Sequence, residues 1–129
     1  MKILIDTNIL ISAVLFPHSK PAQTLLQISA FHDMILCEQN IYEFFEVIKR
    51  KAPHMLPAAK QFLTELSFEF VPNAEHKSNE YIRDTKDQPI LDTAIAANVD
   101  IIITGDKDFL ALDIDRPECI TAAQFLERI

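Results

Sequence analysis

Short aliphatic runs alternate with longer amphipathic stretches along this chain. The apolar runs fit buried strands at 2–5, 34–36, 68–71 and 100–104, with a last edge strand at 118–120. The intervening patterns predict helices at 8–15, 20–30, 38–51, 57–66 and 89–98, one or two helical turns at 106–112, and a final helix at 122–129. Strands that alternate with helices in this way predict an α/β fold with a parallel sheet covered on both faces.

The stretch 38–51 carries the clearest helical pattern. Its apolar residues recur at helical spacing: Ile41, Phe44, Phe45 and Ile48. Three cations at 49–51 follow at its C-terminal end, where the helix dipole favours positive charge. The stretch 72–87, by contrast, is polar and predicts a loop, with a short helix near 80–83.

The composition fits one folded domain that spans residues 1–129. Hydrophobic residues make up 49% of the chain, which is too many for a disordered protein. The single glycine argues against phosphate loops and dinucleotide fingerprints, because each of those needs several glycines. No apolar run reaches the roughly 18 residues of a membrane span, and no signal-peptide pattern is present. We therefore expect a cytoplasmic protein with no membrane partner, in which Cys37 and Cys119 are reduced core thiols.

The chain carries a net charge of −7. That charge is unfavourable for a protein that binds nucleic acid through a broad basic surface. It is acceptable when several acids are gathered in one site and neutralised by cations, and it also suits a basic partner segment.

Acidic residues follow two of the predicted strands at the point where each strand ends. Asp6 comes directly after 2–5, and Asp106 and Asp108 come just after 100–104. If these strands are neighbours in a parallel sheet, their carboxylates lie side by side at the edge where ligands bind. Because Asp is also a common helix N-cap, a capping role for Asp6 stays open.

Three further acids lie on or just before predicted helices. Glu43 borders the apolar face of 38–51, although the same position suits a solvated helix acid. Asp87 precedes the helix at 89–98 and also fits an N-cap. Asp92, one turn further along, could instead interact with the helix dipole.

A cluster of these carboxylates would need cations. Two carboxylates 4 Å apart repel each other by about 4 kcal/mol at an effective dielectric of about 20. Oxygen ligands without His or Cys suit Mg²⁺ or Mn²⁺, and such ions can activate water and stabilise the leaving oxygen of a phosphodiester. The histidines are not paired at ligand spacing, which argues against zinc, and no nucleophilic Ser or Cys elbow is present.

Four segments of the chain together resemble a PIN-domain nuclease. They are Ile5-Asp6-Thr7-Asn8, Tyr42-Glu43, the stretch from Asp87 to Ala97, and Ile103-Thr104-Gly105-Asp106-Lys107-Asp108-Phe109. The resemblance implies a three-layer α/β/α fold with a central parallel sheet, and cleavage of RNA that depends on Mg²⁺ or Mn²⁺. It also implies similarity to the VapC-like toxins of bacterial or archaeal toxin–antitoxin pairs.

The resemblance further implies roles for individual residues. The family's four acids correspond to Asp6, Glu43, Asp87 and Asp106, with Asp92 as the alternative for the third. The supporting positions are an outer acid and three orienting side chains: Asp108, Thr7, Asn8 and Thr104. Cys37 stands where the family often has Ser, outside the acid set.

The resemblance also implies partners. These are an RNA substrate, a second copy of the chain in a homo-oligomer such as a dimer, and a small antitoxin whose basic tail enters the acid site. Arg would suit that tail, since it binds carboxylates bidentately. The cations that could contact RNA phosphates are Lys20, Lys49, Arg50 and Lys51, although a solvated helix end explains the last three as well.

Other classes of protein fit the pattern less well. A phosphoacceptor receiver domain needs an acidic pair after the first strand, and Asp6 has no acidic neighbour. A phosphatase of the aspartyl-phosphate type needs an acid two residues after Asp6, where Asn8 stands. A degenerate PIN fold that serves as a binding module and a stand-alone RNA-processing nuclease both stay open as alternatives.

Overall fold

Five parallel strands form one sheet in the computed structural model of the protein, which describes all residues from 1 to 129. The strands are β1 (Lys2–Ile5), β2 (Asp33–Cys37), β3 (Glu69–Val71), β4 (Ile101–Ile103) and β5 (Glu118–Ile120). Their order across the sheet is β3-β2-β1-β4-β5, and every neighbouring pair is parallel. The parallel sheet expected from the alternating pattern is therefore confirmed.

Seven helices connect and flank these strands. They are α1 (Thr7–Leu15), α2 (Lys20–Phe31), α3 (Glu38–Lys51), α4 (Leu56–Glu65), α5 (Gln88–Ala96), α6 (Lys107–Leu110) and α7 (Ala122–Glu127), with a 3₁₀ turn at Pro53–Met55. Local sequence explains several boundaries: Ser19 accepts a hydrogen bond from the Ala22 amide at the start of α2, and Thr121 caps α7. None of the seven helices combines the length and apolar character that a membrane span requires.

Two hydrophobic cores lie on opposite faces of the sheet. Alternate residues of β1 serve different cores, because side chains alternate across a strand: Ile3 and Ile5 belong to one and Leu4 to the other. The first core contains apolar residues of α1, α2, α3, α4 and α7, whereas the second contains those of α5 and α6. The fold is therefore a three-layer α/β/α sandwich, as expected.

The predicted short helix near 80–83 is wrong. No helix lies between β3 and α5, and residues 72–87 form turns and bends. The side chain of Gln88 explains this, because its Nε2 donates to the Glu80 carbonyl at 2.8 Å and its Oε1 accepts from the Ile82 amide at 3.1 Å. The Glu80 carbonyl and the Ile82 amide are thus satisfied by a side chain at the start of α5 without a helical turn.

The strand order places a crevice at the centre of the sheet. β1 pairs with β2 on one side and with β4 on the other, so the chain order reverses at β1. Ile5 stands opposite Ile103 in the pairing register. In open α/β sheets, ligands bind at the carboxyl ends of the strands where the order reverses. Asp6 and Thr104, the next residues along each strand, lie at that point.

Candidate active site

Asp6 is the most deeply buried acid of the crevice, with 3% of its surface exposed. Its amide donates to the Ile103 carbonyl at 2.9 Å, which extends the pairing of β1 and β4 by one residue. Its Oδ2 accepts from the Thr104 hydroxyl at 2.9 Å. Although Asp6 occupies the N-cap position of α1, its side chain makes no cap hydrogen bond. The carboxylate therefore contacts Thr104 at the end of β4, and the amide of Thr7, the first residue of α1, also lowers its pKa.

Asp106 is joined to Asp6 through Thr104. The Thr104 hydroxyl accepts from the Asp106 amide at 3.0 Å while it donates to Asp6. Asp106 Oδ1 accepts from the Asp108 amide at 2.8 Å and so caps α6. One buried hydroxyl thus holds the two acids that follow β1 and β4.

Glu43 enters the site from α3. Phe44 and Ile48 bury the apolar face of this helix, and the half-buried Glu43 lies at the border of that face. Glu43 Oε1 accepts from Gln39 Nε2 at 2.6 Å, one turn earlier on the same helix. The side-chain amide of Gln39 therefore limits the positions that the Glu43 carboxylate can take.

Asp87 and Asp92 lie in different surroundings. Asp87 occupies the N-cap position of α5 but makes no cap hydrogen bond, and only 8% of its surface is exposed. Asp92 is also buried, but its Oδ1 accepts from Ser78 Oγ at 2.7 Å and from Gln88 Nε2 at 2.9 Å. Burial alone would raise the pKa of Asp92, yet these hydrogen bonds lower it overall. Asp92 is thus held by its own partners, away from the acids of the crevice.

The acids of the crevice influence one another electrostatically. Burial raises the pKa of Asp6 from 3.8 to about 6; the charges of Asp106 and Glu43 add to this, while the Thr104 hydrogen bond opposes it. Burial also raises the pKa of Asp87 to about 7, assisted by the charges of Asp6, Asp106, Asp84 and Glu43. The charges of Glu43 and Asp106 therefore act on both Asp6 and Asp87 and raise the pKa of each. At neutral pH, the metal-free site carries costly negative charge.

A polar cavity of about 510 Å³ opens beside these acids. The cavity is lined by Asn8, Gln39, Tyr42, Glu43, Glu46, Val47, Arg50, Asp84, Lys86, Asp87 and Asp106. Three of the four candidate acids line it directly, and the fourth, Asp6, is connected to it through Thr104 and Asp106. We call this space the acid cavity.

The donor set of the acid cavity fits a hard divalent cation. Its acids offer only carboxylate oxygens, which suit Mg²⁺ or Mn²⁺ and not zinc or copper. A cation would also offset the burial and the repulsion that together raise the pKa of Asp6 and Asp87. No three acidic, His or Cys side chains are already arranged closely enough around one point to hold a metal ion. The residues therefore fit such an ion by chemistry, and side-chain rotation would have to complete its ligand shell.

The predicted supporting residues have different surroundings. Thr104 contacts Asp6 directly, as described above, whereas the Thr7 hydroxyl accepts from Asn40 Nδ2 at 3.2 Å. Asn8 is exposed and lines the acid cavity. Asp108 forms an ion pair with the exposed Arg83, whose Nε lies 2.9 Å from its Oδ1. Among these four, only Thr104 hydrogen-bonds to a candidate acid through its side chain.

Several residues of the site were not anticipated from the sequence. The contact of Gln39 with Glu43 could have been predicted, because the two residues lie four positions apart on a clearly marked helix and so share one face. Asn40 accepts from the Cys37 amide at 3.0 Å and donates to Thr7, but Cys-x-x-Asn does not match the usual capping pattern. Lys86 reaches the acid cavity from an irregular loop, and no sequence signal places it there.

A second cavity, of about 330 Å³, is apolar and lies elsewhere, among residues of α1, α2 and α4. Eight of its eleven lining residues are hydrophobic, and its only acid is Glu65. This lining offers no group of carboxylates for a metal ion.

Comparison with known proteins agrees with this geometry. The family model of the PIN domain matches residues 2–108. Among solved structures, the fold matches a chain in the crystal structure of VapBC2 from Rickettsia felis bound to a DNA fragment from their promoter. The TM-score is 0.68 at 14% identity, over 93% of this chain and 97% of that chain. No curated protein matches the sequence. Because the family match covers most of its length and includes all four candidate acids, this chain belongs to the PIN domain family.

Proposed function

We propose that this protein, acting as one domain over residues 1–129, is a metal-dependent ribonuclease. The observation that carries the proposal is the meeting of Asp6, Glu43, Asp87 and Asp106 at the point where the strand order reverses. Membership of the PIN domain family supports nuclease chemistry at such a site. A group of acids that form no ion pair is costly in a fold, and a cation-dependent function accounts for it.

In this proposal each acid has a defined task. Asp6 and Asp106 are the inner ligands of the cation, and the Thr104 hydroxyl fixes their relative position. Glu43 and Asp87 complete the ligand shell or orient the attacking water. A bound Mg²⁺ or Mn²⁺ supplies a Lewis acid for the phosphodiester and makes water a better nucleophile at neutral pH. Helix α3 lines one side of the acid cavity, and it then limits how the substrate strand lies against the acids.

The direct test is cleavage of RNA by the purified protein. We expect cleavage with Mg²⁺ or Mn²⁺, none with EDTA, and none by Asp106→Asn with either ion. The matched control is Asp115→Asn, which makes the same charge change at an exposed position and should retain wild-type activity. Activity that survives EDTA, or that persists in Asp106→Asn, would contradict the proposal. A binding module with a degenerate site would cleave nothing under any condition.

We further propose that the nuclease is the toxin of a toxin–antitoxin pair. The likeness to a VapBC2 chain supports this role. The acid cavity contains five carboxylates, on Glu43, Glu46, Asp84, Asp87 and Asp106, and two cations, on Arg50 and Lys86. Together with the net charge of −7, this excess suits a small antitoxin with a basic tail, whose Arg would bind a pair of carboxylates.

This role predicts toxicity that depends on the acids. Expression of the wild type alone should arrest growth, and Asp6→Asn should not. Co-expression of a small protein encoded next to the gene should restore growth and form a complex with the toxin. Harmless expression and the absence of such a neighbour would instead indicate a stand-alone RNA-processing nuclease.

We also propose that the protein acts in the cytoplasm as a homodimer. Both cysteines are free, as the reducing cytoplasm requires. Light scattering during size-exclusion chromatography should give about twice the 14.7 kDa mass of the chain. The monomer mass at all concentrations would refute the dimer without affecting the nuclease proposal.

A further inference from the structure

One exposed aromatic residue lies on the wall of the acid cavity. Tyr42 is 64% exposed and stands next to Glu43 on α3. Four other aromatic residues are also largely exposed, namely Phe16, Phe31, Phe70 and Tyr81, but none of them lines this cavity. Isolated exposed aromatics are common on protein surfaces. Tyr42 differs from the others through its position beside the candidate acids.

Two cations share the cavity with Tyr42. Arg50 and Lys86 both line it, and neither forms an ion pair, although Glu46 and Asp84 line the same space. Unpaired cations inside an acidic cavity can bind an anion that enters it. The phosphates of a nucleic acid strand are such anions, and Arg binds them through its planar fork of donors.

The spacing along α3 places the aromatic ring and the cation at different distances from the acids. Tyr42, Glu46 and Arg50 follow one another at four-residue intervals, so they lie along one face of the helix. At about 1.5 Å per residue, Arg50 is about 12 Å from Tyr42 along the helix axis. Tyr42 is thus level with Glu43 along the helix axis, and Arg50 lies about two turns further along it.

We propose that Tyr42 stacks on the base next to the scissile phosphate, while Arg50 and Lys86 bind the phosphates that flank it. This inference rests on the proposed nuclease function and assigns the residues that position its substrate. A base inside a duplex has both faces covered by its neighbours, whereas an unpaired base can stack on an aromatic side chain. Tyr42 therefore acts as a positioning residue that selects unpaired nucleotides.

The decisive measurement is binding of short fluorescent RNAs under conditions without cleavage. Ca²⁺ replaces Mg²⁺, and a gel confirms that the RNA stays intact. We expect Tyr42→Ala to weaken binding of a 12-nucleotide single strand by about 5- to 100-fold, the usual effect of removing one stacking ring. Tyr42→Phe keeps the ring and should bind within about twofold of the wild type. Tyr81→Ala, which removes an equally exposed ring outside the cavity, should bind like the wild type.

Two further measurements separate stacking from charge. Arg50→Gln should reduce the slope of log affinity against log salt by about 0.7, the value for one phosphate contact to a single strand, whereas Tyr42→Ala should leave the slope unchanged. In cleavage assays with Mg²⁺, Tyr42→Ala should raise KM with little change in kcat, because the ring positions substrate and takes no part in the reaction. Thermal melts confirm that each variant is folded.

The outcomes distinguish this inference from the nuclease proposal. If the wild type cleaves RNA and Tyr42→Ala binds and cleaves equally well, the stacking role is wrong and the nuclease proposal stands. If single strands bind through Tyr42 but are never cleaved, the nuclease proposal fails, and Tyr42 stacks on a base of a bound strand that has no scissile phosphate. Equal binding of duplex and single strand, or no binding at all, overturns the inference.

Discussion

The substitution Asp6→Asn removes the charge of this residue and keeps the size and shape of its side chain. It therefore tests the electrostatics of the site alone. Asp6 is almost fully buried, and its pKa is raised from 3.8 to about 6. A rise of that size corresponds to a penalty of about 3 kcal/mol for ionising Asp6 in the folded protein. Asn keeps an oxygen that can accept from Thr104 but carries no charge. We therefore expect Asp6→Asn to unfold with a free energy about 2–3 kcal/mol larger than the wild type at pH 8 without metal, and to be inactive.

The effect of this substitution depends on pH. The folded pKa lies above the unfolded one, so the ionisation penalty is absent below about pH 4, grows between about pH 4 and 6, and is complete above that range. The gain in stability should accordingly fall below about 1 kcal/mol at pH 4. Urea titrations at both pH values measure it, with Asp115→Asn as the control for an exposed acid.

Metal binding provides the second half of this test. Saturating Mg²⁺ should raise the melting temperature of the wild type, because a ligand that binds only the folded state stabilises it. The rise should be smaller for Asp6→Asn. If the variant is no more stable than the wild type at pH 8, or responds equally to Mg²⁺, then the ionisation penalty assigned to Asp6 does not exist.

Three further predictions follow from the same contacts. Without metal, the wild type should lose stability as the pH rises from about 4 to about 7. The reason is that the folded protein raises the pKa of Asp6 to about 6 and that of Asp87 to about 7. Denaturation in urea at several pH values across this range measures the loss. Asp92→Asn should cost about 1–3 kcal/mol because it removes the charge that strengthens the hydrogen bonds from Ser78 and Gln88, yet it should retain cleavage that Asp87→Asn abolishes in the same RNA assay. Thr104→Val should lower kcat by about tenfold or more through loss of the hydroxyl shared by the two strand-end acids, while Thr104→Ser keeps most activity.

The parts of the fold that were predictable depend on local signals. The predicted bounds 38–51 coincide with α3 because an apolar stripe, terminal cations and a following proline all mark the same helix. The parallel sheet followed from the alternation of strands and helices. The sequence alone did not show whether β1 and β4 are neighbours in the sheet. The structure shows that these two strands pair directly.

The parts that were missed depend on contacts between distant residues. The stretch near 80–83 does not form a helix because the side chain of Gln88 takes its backbone groups. From the sequence, Asp87 could be either an N-cap of α5 or an acid of the site. Only the fold shows that its carboxylate makes no cap hydrogen bond and is close enough to the other acids to feel their charges. The same holds for Asp92, whose hydrogen bond to Ser78 spans fourteen residues of chain. The catalytic roles of all these acids stay predictions until cleavage is measured.

The link between Thr104 and Asp6 spans 98 residues, and this separation has a consequence for synthesis of the protein. The ribosome makes β1 first, whereas β4, its neighbour in the middle of the sheet, is among the last strands to be made. Contacts between such distant segments also form slowly in folding. A growing chain that stops before Ile101 lacks one of the two strands that frame the site. Under the proposed function, a nuclease built in this way would be inert on the ribosome, and it could not cleave its own message until translation was nearly complete.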